Sequence, residues 1–168
     1  RLYFIMAQIY QTLDKRPTAA KYFEKSLGCH PDYIMEFNAR INIASCSDLY
    51  HTNVAEREKD LNRMLNDRKN EEFKDQIYYA KGDLYLGVKD AKKACDNYKL
   101  SVQEAYANPA QKAKSALKMA DVLYDIYENY DLAQSYYDTA MRIINRDYPH
   151  YDEIRDRHSL LTSLVEYT

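Results

Sequence analysis

One spacing of small and aromatic residues occurs three times in this chain and constrains its fold more than any other feature. A small residue is followed by an aromatic after three positions, a small residue after nine more, an aromatic after four more and a small residue after three more. The copies are Ala7, Tyr10, Ala19, Phe23, Ser26 and Leu27; Gly82, Tyr85, Ala94, Tyr98, Ser101 and Val102; and Asp121, Tyr124, Ala133, Tyr137, Ala140 and Met141, with Ala120 beside Asp121. Small residues let helices approach closely and aromatic rings fill the gaps, so the spacing predicts stacked antiparallel helix pairs.

The composition agrees with a helical chain and excludes several classes of partner. Only three of the 168 residues are Gly and four are Pro, which argues against a β-rich or disordered chain. The formal net charge of −2 gives no general attraction to nucleic acid or to an anionic membrane. No segment approaches the roughly 20 apolar residues of a membrane-spanning helix. We therefore expect proteins or peptides as partners, with no nucleic acid and no membrane span.

Apolar periodicity and capping signals predict nine helices and no strand. The first two run from Leu2 to Leu13 and from Pro17 to Leu27, with Gly28 as a left-handed cap. The third runs from about Asp32 to Tyr50. Asn53, Asp90 and Asn108 are predicted to cap the fourth, sixth and seventh helices, and the others are expected over about 71–86, 131–145 and 149–167.

The distance between the first two copies predicts a concealed repeat. Ala7 and Gly82 lie 75 residues apart, about twice the length of a helix-turn-helix repeat. A step of about 34 residues from Ala7, one repeat length, reaches Ile41, where the small-residue pattern is lost. We expect one all-α domain over 1–168, a right-handed superhelix of about four helix pairs with a terminal helix that covers one end. The predicted repeats are 1–31, 32–68, 71–107 and 109–147, and the abrupt start at Arg1 predicts a fragment of a longer protein.

This spacing resembles the tetratricopeptide repeat (TPR) family. The segment AQIYQTLDKRPTAAKYFEKSLGCHP carries nearly the whole signature, and GDLYLGVKDAKKACDNYKLSV and ADVLYDIYENYDLAQSYYDTAM carry most of it. The segment FNARINIASCSDLY departs furthest from it. The resemblance implies a solenoid in which the first helix of each pair lines a concave surface that binds proteins or peptides.

A narrower resemblance lies in the sequence segments between the repeat motifs. The segments YIMEFNARINIA, EEFKDQIYYAKGDLYL and NPAQKAKSALKMADVLYD are similar to the repeat region of the PorW/SprE-like lipoproteins of the Bacteroidota gliding-motility and type IX secretion machinery. This resemblance implies a lipid anchor upstream of Arg1, a periplasmic location at the outer membrane and a role in linking secretion components. Without it, a generic TPR scaffold would be expected in the cytoplasm.

No motif for catalysis, metal binding or a cofactor is present. The chain lacks a Gly-rich phosphate loop, HExxH and GxSxG, so we expect no enzyme activity, catalytic residue, metal or cofactor. Asp121 and Asp125 share a helix face, but they are better interpreted as a solvated acidic strip. Three cysteines are too few and too far apart for a zinc site or a CxxC pair: Cys29, Cys46 and Cys95. Four histidines are expected in solvent: His30, His51, His150 and His158.

Residues on the first helices that the packing signature leaves unused are the candidates for partner binding. The count starts from the first small residue of each repeat, or its equivalent: Ala7, Ile41, Gly82 and Ala120. The residues one position after and three positions before each of these lie on one helix face. The candidates are Phe4, Gln8, Asn38, Asn42, Tyr79, Asp83, Leu117 and Asp121. Amides would bond a peptide backbone, Phe4 and Tyr79 would give apolar contact, and the carboxylates would favour a basic or neutral partner. The alternative is that these residues are only the solvent-exposed concave surface of a spacer domain whose partner contacts lie elsewhere. Arg40 is expected to pair with a nearby carboxylate.

Two functional hypotheses remain open on these residues. The first is a non-catalytic scaffold that binds protein partners through a TPR groove or outer surface. The second is a regulatory or ligand-sensing TPR domain attached to an enzyme or sensor outside this chain. They differ in what flanks the chain, since a lipid-attachment cysteine and further repeats upstream would favour the first and an enzymatic module downstream the second.

Overall fold

The computed structural model describes residues 1–48 and 52–166. Over these residues the chain forms nine α-helices and no strand, which confirms the all-α prediction. The helices are α1 (Leu2–Thr12), α2 (Arg16–Leu27), α3 (Tyr33–Ser45), α4 (Val54–Asn66), α5 (Lys74–Gly87), α6 (Ala91–Glu104), α7 (Pro109–Asp125), α8 (Tyr130–Met141) and α9 (Tyr151–Glu166), with a 3₁₀ helix at Arg68–Phe73. In the described part of the chain no helix is long and apolar enough to cross a membrane.

The chain divides into two compact units, Arg1–Ala94 and Cys95–Thr168. In the first unit α1 packs on α2, α2 on α3, α3 on α5, and α4 on α5. Its core has two clusters of buried residues. One comprises Ala7, Ala19, Phe23, Ala39, Ile43 and Cys46, and the other comprises Phe37, Ala44, Leu61, Met64, Ile77, Ala80 and Leu84.

In the second unit α7 packs on α8 and α8 packs on α9. Leu161 of α9 is fully buried, as are the small residues of the predicted signature. The buried hydroxyls of Ser101 on α6 and Ser115 on α7 lie 2.7 Å apart and satisfy one another. Each unit is therefore built from consecutive helices that pack against their neighbours, as the stacked-pair prediction requires.

The three small residues near the start of the second helix of each signature copy are fully buried: Ala19, Ala94 and Ala133. The aromatics four positions later, Phe23, Tyr98 and Tyr137, are at most 1% exposed. A helix face with a small residue beside a large ring can approach its neighbour closely without leaving a void. The burial thus confirms the register of the repeat.

The predicted caps of the fourth, sixth and seventh helices are present. Asn53 Oδ1 accepts from the Glu56 amide at 3.3 Å, and Asn108 Oδ1 accepts from Gln111 at 3.2 Å. Asp90 Oδ1 accepts from the Lys93 amide at 3.1 Å. Each bond satisfies an amide that the first helical turn leaves without an intrahelical partner.

The turns inside the three recognisable repeats contain one residue with positive φ at the same place. Asp14, Lys89 and Glu128 have φ of 53°, 63° and 51°, and each follows the signature tyrosine by four positions. In the first two turns the next amide donates to the tyrosine carbonyl, from Lys15 to Tyr10 at 2.9 Å and from Asp90 to Tyr85 at 2.8 Å. A residue in the left-handed conformation ends the first helix of the pair and lets the chain reverse direction.

The predicted cap at Gly28 is wrong. Gly28 has φ −63° and continues the right-handed conformation, whereas His30, two residues later, has φ 47°. The amides of Cys29 and His30 donate to the carbonyls of Ser26 and Leu27, so a tight final turn extends past the glycine. The reversal therefore occurs just before Pro31.

The predicted length of the third helix is also wrong. It ends at Ser45, where the Cys46 amide donates to Asn42 and the Ser47 amide to Ala44, rather than continuing to Tyr50. Ser47 lies against α5, because a Cβ on Gly87 would stand 2.9 Å from the Ser47 carbonyl carbon and closer still to its oxygen. The chain must leave the helical path to make this approach. The remainder of the predicted helix, Leu49 and Tyr50, lies outside the described residues.

Two other boundaries differ from prediction. The fifth helix begins at Lys74 after the 3₁₀ helix, rather than near Glu71, because Asp67 Oδ1 accepts from the Lys69 amide and starts a tighter turn. The eighth helix ends at Met141, short of the predicted 145, where the amides of Ile143 and Ile144 both donate to the Ala140 carbonyl.

Candidate protein-binding surface

Two of the eight candidate residues lie in the core. Tyr79 is 6% exposed and Leu117 is 8% exposed, so their side chains contribute packing rather than contact area in this structure. Phe4 is half-buried, and its ring meets the fully buried ring of Phe23 edge-on at 5.3 Å. Apolar residues three positions before a small anchor thus face the neighbouring helix. The polar candidates are the ones that reach the surface.

Along α1, α3 and α5 of the first unit lie the four polar candidates and two polar residues that bond them, a set that we call the polar row: Gln8, Gln11, Asn38, Asn42, Ser45 and Asp83. Gln11 Nε2 donates to Asn42 Oδ1 at 3.3 Å and joins α1 to α3. The Ser45 hydroxyl donates to Asp83 Oδ2 at 2.7 Å and joins α3 to α5. These two bonds connect successive helices of the first unit through members of the polar row.

Within the polar row the asparagines also bond their own helix. Asn38 Nδ2 donates to the Ile34 carbonyl at 2.8 Å and Asn42 Nδ2 donates to the Asn38 carbonyl at 2.7 Å. Gln8 is exposed, and its side-chain amide makes no hydrogen bond to another residue in the described ranges. Arg40 pairs with Glu36 at 2.8 Å, as predicted. Gln8 is thus the member of the row most available to a partner.

Asp121 of the second unit is engaged by two neighbours. Its Oδ1 accepts from the Tyr137 hydroxyl at 2.6 Å and lies 3.2 Å from Arg157 Nη1. Burial raises the pKa of Tyr137, and the bond to Asp121 raises it further. Because Arg157 already balances the Asp121 charge, this carboxylate offers less attraction to a basic partner than the sequence predicted. Arg157 also lies 5.2 Å from the Tyr124 ring centre, above its face.

A cavity of about 300 Å³ opens between α3, α4 and the 3₁₀ helix. Its apolar side includes Phe37 and Met64, and its polar side includes Arg40, Arg63 and Asp60. Arg63 Nη2 lies 3.3 Å from Asp60. The charges that line the cavity are therefore largely paired.

Asn70 organises one wall of this cavity. It is 4% exposed, accepts a hydrogen bond from the Tyr33 hydroxyl at Oδ1, and donates from Nδ2 to the Met64 carbonyl at 2.8 Å. The Tyr33 hydroxyl also lies 2.9 Å from the Lys69 carbonyl oxygen. Burial raises the pKa of Tyr33, and the negative charge of Asp67 raises it further. These bonds connect the start of α3 to the end of α4.

The thiols have different environments. Cys29 is exposed, Cys46 is buried and Cys95 is half-buried. Burial raises the pKa of both Cys46 and Cys95 to about 11, so these two thiols remain protonated and unreactive at neutral pH. Among the described residues no group of three or more His, Cys, Asp or Glu side chains is placed to hold a metal ion.

The first helix pair carries the match to known proteins. Residues 1–32 match the family model of the tetratricopeptide repeat. No curated protein matches the chain. The matched segment contains α1 and α2, where the TPR signature is nearly complete in the sequence. Because TPR repeats are typically non-catalytic modules that bind proteins or peptides, the match supports a protein-interaction scaffold.

Sequence reasoning missed two members of the polar row and one contact between a histidine and a carboxylate. Gln11 and Ser45 lie three positions after Gln8 and Asn42, so helix periodicity could have placed them on the same face. His158 was expected in solvent, but its Nε2 lies 2.5 Å from Asp138 Oδ1 and it is half-buried between α8 and α9. Nothing in the spacing indicated that pair, because it depends on how α9 packs.

Proposed function

We propose that this chain is a non-catalytic scaffold that binds an extended peptide segment of a partner protein along the polar row. The observation that carries the proposal is the exposed side-chain amide of Gln8, three positions before Gln11, whose own amide donates to Asn42 of α3. A carboxamide can donate and accept, so it matches the alternating groups of an extended peptide backbone. The rigid packing beneath the row supports this role, since helix-to-helix bonds hold Asn42 and Asp83 in place.

Site-specific photocrosslinking tests the position of the partner. A photoreactive phenylalanine analogue replaces Gln8 on α1 or, as the matched control, Lys21 on the exposed side of α2. We expect a crosslinked protein from position 8 and none from position 21, because only position 8 faces the polar row. Equal products from both positions would place the partner elsewhere. Circular dichroism of both variants checks that the helices are intact.

We propose further that the partner belongs to a secretion or gliding-motility machine at the periplasmic side of the outer membrane, with a lipid anchor upstream of this chain. The support is the resemblance of three segments to PorW/SprE-like lipoproteins; the family match concerns the TPR alone. Mass spectrometry of the crosslinked product in the native cell tests this location. Outer-membrane secretion components are expected. A cytoplasmic partner, or an enzymatic module in the same polypeptide, would contradict it and favour the regulatory-domain hypothesis.

A further inference from the structure

An apolar stripe runs along the solvent side of α1. Leu2, Ile5, Ile9 and Leu13 are between 53% and 70% exposed. Their spacing of three or four positions places them on one helix face, which we call the α1 stripe. No residue from 2 to 13 is charged. The exposed face of α2 is different, since it carries Lys21, Glu24 and Lys25.

The α1 stripe has buried counterparts in the second repeat. One repeat length after Ile5 and Ile9 come Ala39 and Ile43 of α3, which are 0% and 4% exposed. Those two residues belong to the cluster that includes Ala7, Ala19 and Phe23 of the preceding helix pair. In α3, therefore, this face is covered by the pair that comes before it.

The third repeat covers the same face. Ala7 and Gly82 are equivalent positions 75 residues apart, so residues 75 positions after the stripe lie on α5. The equivalents of Leu2, Ile5 and Ile9 there are Ile77, Ala80 and Leu84, all at most 1% exposed. They lie in the cluster that includes four residues of the preceding helices: Phe37, Ala44, Leu61 and Met64. Twice in this unit, then, the face equivalent to the α1 stripe packs against a preceding helix pair. On α1 the same face is open.

We propose that the α1 stripe docks a helix pair of the α1–α2 type that is not part of a second copy of this chain, and that the buried face of its second helix carries a small residue and a large residue four positions later, as Ala19 and Phe23 do in α2. The interface between the first helix pair and α3 defines the chemistry of this partner, because Ala19 and Phe23 belong there to one cluster with Ala39 and Ile43. Ile5 is larger than its equivalents Ala39 and Ala80, whereas Ile9 matches Ile43 and Leu84 in size. Exposed apolar patches of this kind mark interaction surfaces. This interaction is separate from the polar row.

A tandem duplication tests the docking in the full chain. A second copy of residues 1–34 is fused before Arg1, which keeps the repeat spacing and places the added α2 over the α1 stripe. Two versions are made, one unchanged and one with Phe23→Leu in the added copy, because Ile5 is bulkier than Ala39. We expect at least one version to raise Tm by at least about 4 °C. Amide exchange in the original α1 should slow at least about tenfold.

The matched control is the same duplication with Ile5→Glu and Ile9→Glu in the original α1. These residues are exposed in the single chain, so that double variant alone should fold with nearly unchanged Tm. In the duplicated chain it should abolish the gain in Tm and the slower exchange. If neither duplicated version gains stability or protection, the proposal is overturned. If sedimentation shows that the single chain forms a dimer that protects α1, the occupant is a second copy and the proposal is likewise overturned.

Discussion

The first two helix pairs of the amino-terminal unit differ in how their own helices meet. Between α1 and α2 the rings of Tyr10 and Tyr22 stack at 5.2 Å with a 12° interplanar angle, and the rings of Phe4 and Phe23 meet at 5.3 Å. Between α3 and α4 there is a cavity of about 300 Å³, and α3 packs chiefly on α2 and α5. The first pair is a closed hairpin. The second is open and depends on its neighbours.

The residues that replace the signature explain this difference. One repeat length after Ala19 and Phe23 stand Asn53 and Arg57. Asn53 is the cap that precedes α4, and Arg57 pairs with Glu24 at the surface, so neither fills a core position. The core contacts of α4 come later, from Leu61 and Met64. Loss of the small–aromatic pair therefore goes with a buried face that lies later on α4, and the cavity opens beside that later part of the helix, at Asp60, Arg63 and Met64.

The largest expected effect compares the equivalent positions 23 and 57. Phe23→Ala removes a fully buried ring from the closed pair and should lower the free energy of unfolding by about 3–5 kcal/mol. Arg57→Ala removes a partly exposed ion pair and should cost less than about 1 kcal/mol. Chemical denaturation of both variants measures the difference. Equal costs would mean that α4 uses position 57 as α2 uses position 23, and the comparison would fail.

The next effect tests whether α5 holds the end of α3. Gly87→Ala places a Cβ 2.9 Å from the Ser47 carbonyl carbon and closer still to its oxygen, so the backbones must separate, at an expected cost of about 1–3 kcal/mol. Gly28→Ala is the matched control, because its nearest neighbour would be 3.6 Å away and φ is −63°. It should be neutral or stabilise the chain by up to about 1 kcal/mol. Thermal unfolding of both variants checks this order.

A third variant addresses the wall of the cavity. Asn70→Ala breaks the bond to Tyr33 and leaves the Met64 carbonyl without its side-chain donor, so it should cost about 1–3 kcal/mol. Tyr33→Phe removes only the hydroxyl and should cost about 1 kcal/mol. If α4 were held against α3 by apolar packing alone, Asn70→Ala would leave the urea midpoint unchanged, which denaturation curves would show.

The sequence predicted the repeat far better than the surface. The pair of a small residue and an aromatic residue four positions later, as at Ala19 and Phe23, repeats because close helix packing requires a small residue beside a large one. The three pairs are buried in the structure. The candidate surface was inferred by counting from those anchors, which selected the half-buried Asn42 and Asp83 but also Tyr79 and Leu117, which are buried. Counting along a helix gives the direction of a side chain. It does not give how closely the next helix approaches, and that distance determines exposure.

The smallest expected effect concerns the turn shared by the compact repeats. Lys89 has φ 63°, where a Cβ is strained and glycine is not. Lys89→Gly should therefore stabilise the chain by about 0.5–1 kcal/mol, net of the greater freedom that glycine gives the unfolded state. Lys99→Gly, at an exposed position inside α6, should instead destabilise by about 1 kcal/mol. Denaturation of the two lysine variants measures both signs. A loss of stability at position 89 would show that the Lys89 side chain contributes more than its backbone strain costs.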